Sequence, residues 1–258
     1  MLAIGEGVTR FKVGDAVMGR APGGFAEEVL MDERETLAKP DRLSWEEAAS
    51  VPLTFLVATD MLHVHGGLKA GDWLLVLGVS SGVGVACLQI AKAAGAKVVG
   101  TSGSADKLKR LSALGLDVGI ETRQADFRAQ VMAATADKGA NLAVDTVGGT
   151  VFAEAMRSLA FQGRLAMVGY VDGVLRTELD LELLHRQRLV LFGVSNKLRT
   201  AAQRAETVPV FVDRVLPALV DGRIKPMVDK VFAFDRLAEA KAAMESNVHV
   251  GKIVLTGA

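Results

Sequence analysis

The sequence has one cysteine, few aromatic residues and no excess of either charge. Because Cys87 is the only cysteine, the chain can form neither an internal disulfide bond nor a cysteine-rich zinc site. Thirty basic residues balance thirty acidic ones, so the composition gives no sign of a nucleic-acid or anionic-membrane partner. No apolar run approaches the ~20 residues that a membrane-spanning helix needs, and the first residues lack the basic region of a signal peptide. We therefore expect a soluble, cytoplasmic protein.

What the chain does have is a regular alternation of apolar strands and amphipathic helices. Hydrophobic residues make up 50% of its 258 residues, and aromatic residues only 5%. The predicted strands are residues 73–77, 97–101, 117–120, 140–145, 163–169 and 189–194. Helical patterns, among them residues 151–160, separate the first five strands, and an irregular stretch precedes the last one. This order predicts an α/β fold: a Rossmann-type, doubly wound parallel sheet with strand order 3-2-1-4-5-6, over residues 53–196.

The two ends of the chain have a different pattern, of short strands and turns. Before the alternation we predict a short strand at residues 25–31 and a helix from Trp45, which Ser44 and Glu47 begin as a capping box. After it we predict one long amphipathic helix (201–221), a strand (231–234), a helix (236–246) and a last strand (252–255). We expect residues 1–52 and 197–258 to pack together as a second, smaller domain.

The stretch from Trp73 to Gly84 is the centre of the predicted fold. A buried strand ends at Leu77, and a turn containing Gly78, Gly82 and Gly84 leads into a helix. Free backbone N–H groups and the positive end of the helix dipole would face a phosphate there, and glycine lets it approach the backbone.

A rival interpretation is the nucleophile elbow of an α/β-hydrolase. Residues 78–82 match G-x-S-x-G with Ser80 as the nucleophile, and Asp145 and His249 follow in the required order. The His65-Gly66-Gly67 sequence could then form the oxyanion loop. Too little chain separates Gly67 from Trp73 for the strand and helix that this fold places between them, so the spacing favours a phosphate site.

The end of the second predicted strand indicates which dinucleotide would bind. A fold that prefers NAD usually has Asp or Glu there, to hold the ribose 2′-OH. Residues 100–104 contain no acid. This segment ends at Ser104, and Lys107 follows it, a combination that suits the extra charge of a 2′-phosphate. The alternative is that Ser104 only caps a helix and that Lys107 is simply solvated.

Five segments together resemble one family. They are VGDAVMG, GGFAEE, AASVPLTFLVATDML, LKAGDWLLVLGVSSGVG and HVGKIVL. In this order they resemble the medium-chain dehydrogenase/reductases, and among these the zinc-independent quinone oxidoreductase-like branch. The resemblance implies NADPH-dependent reduction of quinones or other α,β-unsaturated carbonyls by hydride transfer. It also implies a GroES-like, β-rich substrate domain split between the chain ends, and a homodimer.

The resemblance also implies which residues contact NADPH. Tyr170, the only tyrosine, is a weak catalytic candidate, and no proton donor is otherwise evident. Family members often carry a tyrosine near the 2′-phosphate, and this chain has Thr122 at that position. The neighbouring Arg123 could compensate for the missing tyrosine. The implied cofactor-binding residues are Gly78, Ser81, Gly82, Val83, Gly84, Ser102, Ser104, Lys107, Thr122, Gly169, Tyr170, Phe192, Gly193, Val194 and Asn247.

Two departures from the wider superfamily bear on function. The cysteine that zinc-dependent members carry near residues 53–57 is absent, and residues 20–24 leave no room for their cysteine-rich lobe, so we expect no metal. The chain also begins just before the VGD element, without the stretch that supplies most of the family's substrate domain. An alternative function is therefore an NADPH-binding module without turnover.

Two smaller expectations complete the interpretation. His63 and His65 alternate near a helix end, and with no acidic partner in view we favour capping or surface roles over metal binding. The apolar segment 189–194 is expected to be an edge strand, through which two copies pair to form the homodimer.

Overall fold

The structure is a computed structural model that describes residues 1–257. The strands are β1 (Val17–Gly19), β2 (Thr36–Ala38), β3 (Trp73–Leu77), β4 (Lys97–Ser102), β5 (Val118–Glu121), β6 (Ala140–Asp145), β7 (Leu159–Met167), β8 (Val190–Gly193), β9 (Val228–Ala233) and β10 (Lys252–Thr256). The helices are α1 (Trp45–Ser50), α2 (Pro52–Thr59), α3 (Gly82–Ala93), α4 (Ala105–Ser112), α5 (Arg128–Ala134), α6 (Gly149–Arg157), α7 (Leu181–Gln187), α8 (Ala201–Ala205), α9 (Val208–Arg214), α10 (Leu216–Asp221) and α11 (Leu237–Glu245).

The chain forms two compact units. The central unit is Val57–Ser195, and the terminal unit consists of Met1–Leu56 together with the segment from Asn196 onward. No helix in residues 1–257 is both long and apolar enough to cross a membrane.

The central unit is built on a six-stranded sheet with the order β5-β4-β3-β6-β7-β8. Every neighbouring pair in it is parallel. Counted from β3, this is the order 3-2-1-4-5-6, which confirms the predicted doubly wound fold. In such a sheet the order in which strands are added reverses between the first and fourth strands, and ligands bind at the carboxyl edge there.

The burial of β3 agrees with its position at the middle of this sheet. Leu74, Leu75, Val76 and Leu77 are completely buried, as expected of a strand covered on both faces. On one face, a cluster that includes Phe127, Val131, Val151 and Ala155 packs against Leu75 and Leu77. The helix α3 is also buried from Gly84 through Ala91, so Cys87 is a core residue.

Three local features of the central unit differ from the sequence prediction. The predicted helix at 151–160 ends at Arg157 because Leu159 already pairs with Ala140 in the sheet. The stretch before β8, predicted to be irregular, contains α7, whose first turn is capped by the Asp180 side chain. The helix α2 continues into a π-helical segment, Asp60–His65.

The terminal unit brings the two ends of the chain together. It has an antiparallel pair, β1 with β2, and a parallel pair, β9 with β10. A buried ion pair joins its halves: Arg204 Nε lies 2.8 Å from Glu35 Oε1, and Arg204 Nη2 lies 2.8 Å from Oε2. The capping box of Ser44 and Glu47 is present at the start of α1, as predicted.

Two predictions in the terminal unit are wrong. Residues 25–31 form no strand, because no neighbouring strand pairs with them, and Phe25 and Leu30 are 71% and 93% exposed. The predicted helix at 201–221 is three short helices, α8, α9 and α10. Pro209 and Pro217 lie in the first turns of α9 and α10, where their missing N–H groups break the continuous hydrogen bonding of one helix.

Candidate cofactor site

The glycine-rich turn after β3 has the geometry of a phosphate cradle. Gly78 has a φ of +77°, a left-handed conformation that glycine adopts without strain. The Gly78 amide donates to Thr101 Oγ1 (3.2 Å), and the Val79 amide donates to the Thr101 carbonyl (2.9 Å), which ties the turn to β4. The chain then enters α3 at Gly82.

Gly84 lets α3 pack directly on this turn. A Cβ at Gly84 would lie 2.7 Å from both the carbonyl carbon and the Cα of Val79, and closer still to the Gly78 carbonyl oxygen. A Cβ at Gly100 in β4 would meet the side chain of Val79 at 2.7 Å. Val79 is completely buried between these glycines. The third glycine of the motif therefore serves close helix packing.

The start of α3 offers donors to an anion. The Ser81 side chain caps the helix by accepting the Gly84 amide at 3.0 Å. Within residues 1–257, the amides of Gly82 and Val83 donate no hydrogen bond. Together with the helix dipole, these two N–H groups suit a phosphate. The cradle thus fits a dinucleotide pyrophosphate, the group that the sequence predicted here.

The end of β4 meets the cradle from one side. Ser102 Oγ lies 3.3 Å from Ser80 Oγ. Ser104 caps α4 by accepting the Lys107 amide at 3.4 Å, so the capping role considered for Ser104 is present. Lys107 is half-buried in the first turn of that helix.

The loops after β6 and β7 are joined at the same edge of the sheet. The amides of Val168 and Gly169 both donate to the Asp145 carbonyl, at 3.0 and 3.3 Å, and the Asp172 amide donates to Val147 at 2.9 Å. Gly169 approaches Thr146 closely, since a Cβ there would lie 3.0 Å from the Thr146 carbonyl oxygen. These contacts fix the segment that leads into Tyr170, which is 49% exposed.

Asp145 forms the turn after β6. Its Oδ1 accepts the amides of Val147 (2.8 Å) and Gly148 (2.9 Å). Its Oδ2 is buried without a hydrogen-bond partner in the described part of the chain. Burial, and to a smaller extent the charge of Asp172, raises the pKa of Asp145 to about 6, although the two amides oppose the shift. The carboxyl edge of the sheet therefore contains a buried carboxyl that keeps its proton to a higher pH than an ordinary aspartate does.

The end of β8 completes this edge. Phe192 packs its ring 5.8 Å from the His65 ring. A Cβ at Gly193 would meet nothing within 4 Å, so the space above it is open. The Val194 amide donates to Met167 of β7 at 2.9 Å. All but one of the predicted cofactor residues thus lie on or just after the carboxyl ends of strands in one sheet.

The exception is Asn247, which belongs to the terminal unit. It follows α11 with a φ of +53°, and its amide donates to Met244 at 3.1 Å. This is the left-handed conformation that commonly ends a helix, and asparagine tolerates it well. A role of Asn247 toward a cofactor stays a prediction.

Comparisons with known proteins agree with this geometry. The profile of the family described as zinc-binding dehydrogenase matches residues 82–208. Quinone oxidoreductase-like protein 2 of Bos taurus is 29% identical over 99% of this chain and 73% of its own length. A solved structure described as an NAD-dependent alcohol dehydrogenase is 32% identical, with a TM-score of 0.80, over 99% of this chain and 79% of that one. The chain belongs to the medium-chain dehydrogenase/reductase superfamily. Within this oxidoreductase superfamily it falls in the quinone oxidoreductase-like branch.

Two further similarities bear on cofactor and context. A mycobacterial protein solved in complex with NADPH is 28% identical, with a TM-score of 0.86, over 98% of this chain and 78% of that one. A highly reducing polyketide synthase of Arthrinium phaeospermum is 29% identical over 98% of this chain, which spans only 11% of that much longer protein. The superfamily fold thus occurs both in separate proteins and as a segment of a large synthase.

Sequence reasoning missed two acidic residues of this superfamily member. Asp60 Oδ1 lies 3.5 Å from His65 Nε2, so the expectation that the histidines have no acidic neighbour is wrong. The π-helical segment brings the two side chains together, whereas α-helical spacing would place residues five positions apart on different faces. Glu121, at the end of β5, accepts the Ala105 amide at 3.1 Å and so reaches the start of α4. Only the parallel pairing of β4 with β5 brings it there.

The structure also places the residues of the hydrolase interpretation and the possible metal ligands. Ser80 has Ser102 as its hydrogen-bond partner, and both Asp145 amide contacts hold a turn, so nothing here supports a hydrolase nucleophile. In residues 1–257, no three His, Cys, Asp or Glu side chains are grouped as a metal ion would require.

Proposed function

We propose that this chain binds NADPH at the carboxyl edge of its central sheet and reduces quinones or other α,β-unsaturated carbonyls. The observation that carries the proposal is the Gly78–Gly84 turn, in which Gly84 packs on Val79 and the Gly82 and Val83 amides stay open. Quinone oxidoreductases and enoyl reductases among the solved structures with this fold support the substrate class.

Each part of the edge would contribute to binding. The Gly82 and Val83 amides would hold the pyrophosphate, and the corner formed by Ser104 and Lys107 would receive the adenosine ribose. The segments at Gly169–Tyr170 and Phe192–Val194 would flank the nicotinamide. When bound, this cofactor supplies the hydride, and the protein's task is to orient it and keep water away.

We propose that the reaction needs no metal. The cysteine that zinc-dependent members of the superfamily carry near residues 53–57 is absent from this sequence, which reads LTFLV there. Hydrogen-bond donors would then have to polarise the acceptor oxygen. Tyr170, with its exposed hydroxyl side chain after β7, is our candidate for that role.

We also propose a homodimer that forms through β8. This strand lies at one edge of the sheet, and Val190 at its start is 44% exposed. An open strand edge can pair with a second copy about a twofold axis. Light scattering at micromolar concentration tests this, and a monomer would contradict it.

The decisive experiment for the function is a pair of fluorescence titrations of the purified chain, with NADPH and with NADH. Saturable binding that favours NADPH supports the proposed cofactor. Turnover is then measured with a panel of quinones and enones, with oxidation of saturated alcohols by NAD⁺ as the comparison. Binding without turnover would favour a cofactor-binding module, and robust alcohol oxidation would contradict the proposed reaction.

A further inference from the structure

The corner between β4, α4 and the residues after β5 carries a charge arrangement that the family resemblance does not specify. Gly103 and Ser104 connect β4 to α4, and Ser102 pairs in register with Glu121 at the end of β5. In a sheet of this topology, the strand next to the first one ends where the adenosine ribose binds. Charges at this corner would therefore face the 2′ position of that ribose.

Arg123 lies directly over Gly103. Its Nη2 donates to the Gly103 carbonyl at 3.3 Å. A Cβ at Gly103 would lie 2.5 Å from Arg123 Nε and 2.6 Å from its Cζ, so the side chain occupies the space that this glycine leaves free. The guanidinium is thus held at the corner by packing and by one hydrogen bond to a neutral acceptor.

The charge of Arg123 is not neutralised by a neighbouring carboxylate. Several other arginines of the chain form ion pairs at 2.5–2.9 Å, among them Arg34 with Asp32, Arg157 with Glu154 and Arg236 with Glu239. Arg123 forms no ion pair within residues 1–257, and its side chain is exposed. Its remaining donors can therefore reach an incoming anion.

Thr122, which takes the place of the family's tyrosine, is already engaged. Its Oγ lies 2.5 Å from Asp126 Oδ1 and accepts the Gln124 amide at 2.9 Å. The hydroxyl therefore serves its own turn, and the donor available beside it is Arg123.

Glu121 places a negative charge at the same corner. Its carboxylate accepts the amide of Ala105, the first residue of α4, at 3.1 Å. A carboxylate at a helix N-terminus is stabilised by the dipole, so it occupies the position that a phosphate would also favour. An incoming 2′-phosphate would be repelled by Glu121 and attracted by Arg123.

We propose that Arg123 and Glu121 together set the cofactor preference: Arg123 binds the 2′-phosphate of NADPH, and Glu121 limits how strongly NADPH is preferred over NADH. This inference rests on the proposed function. It assigns the choice between NADPH and NADH to two side chains: Glu121, which ends β5, and Arg123, which follows it.

The test is the dissociation constant for NADPH and for NADH, measured by fluorescence in four variants. Arg123→Ala should weaken NADPH binding about 10- to 100-fold, the usual range for a hydrogen bond to a charged group, and change NADH binding less than about twofold. Arg123→Lys should restore part of the loss, because lysine keeps the charge without the planar fork. Glu121→Gln keeps an oxygen for the Ala105 amide and should tighten NADPH binding several-fold. Lys138→Ala is the control, since it removes one exposed positive charge before β6, at the opposite edge of the sheet.

The outcomes separate this inference from the function on which it rests. If wild type binds NADPH but Arg123→Ala binds it equally well, or loses both cofactors equally, the inference is wrong and the proposed cofactor stands. If Glu121→Gln leaves the NADPH-to-NADH ratio unchanged, Glu121 has no part in the preference. If wild type binds neither cofactor, the proposed function itself fails. Thermal melts of every variant exclude unfolding as the cause of a loss.

Discussion

Replacing Gly84 with alanine should damage both the fold of the central unit and its cofactor site. The added Cβ would lie 2.7 Å from two backbone atoms of Val79. Ordinary van der Waals contact begins near 3.4 Å, so α3 and the turn must separate by at least about 0.7 Å. Because the obstacle is backbone and not the tip of a side chain, no rotamer change can relieve the contact.

The size of the effect follows from two opposing contributions. Overpacking of a tight interior usually costs about 1–3 kcal/mol. Alanine has a higher helix propensity than glycine by up to ~1 kcal/mol, which offsets part of that cost. We therefore expect Gly84→Ala to lower the free energy of unfolding by about 1–2 kcal/mol. The cofactor should be affected more, because the shift moves the Gly82 and Val83 amides, so NADPH binding should weaken at least about 10-fold.

Urea unfolding followed by circular dichroism, together with the NADPH titration, measures both effects. Gly5→Ala is the control, because a Cβ at Gly5 meets nothing within 4 Å and its φ is not positive. If Gly84→Ala were as stable as wild type and bound NADPH within twofold, the close packing of α3 on the turn would not be what shapes the phosphate cradle.

Three further predictions concern buried groups. Asp145 has a pKa raised to about 6, so its ionisation destabilises the folded chain as pH rises from about 4 through 6. Relative to wild type, Asp145→Asn should gain about 2 kcal/mol of stability between pH 4 and pH 8 in urea titrations, and a constant difference would contradict this. Burial raises the pKa of the Cys87 thiol, so Ellman's reagent should modify it only after unfolding in guanidinium; rapid reaction of the native chain would show that α3 opens. Glu35→Ala should lower the urea midpoint more than Glu239→Ala, because Glu35 is paired in a buried site and Glu239 on the surface; equal shifts would mean that the buried pair adds no stability.

The sequence predicted elements well where the local pattern was sufficient. The bounds of β3 and β6 were predicted to the residue, because β3 is a continuous apolar run between turn residues and β6 begins just after Gly139 and ends at the turn-forming Asp145. The prediction failed at residues 25–31, which have no partner strand, since a strand exists only through its hydrogen-bonded neighbours. Pro209 and Pro217 mark the division of 201–221 into three helices, although the amphipathic pattern of this segment resembles that of one long helix.

The sequence by itself determined the doubly wound sheet and the glycine turn. Both depend on residues close in the chain: the strand–helix alternation dictates parallel strands, and the order of the strands places Gly78, Gly82 and Gly84 at the switch point. Only the tertiary structure decided the rest of the site. Gly84 touches Val79 because α3 folds back on the turn, and Glu121 reaches Ala105 because β5 pairs with β4. The burial that raises the pKa of Asp145 likewise arises from neighbours far away in the chain. Contacts of this kind carry no local signal, because they depend on where packing brings distant segments together.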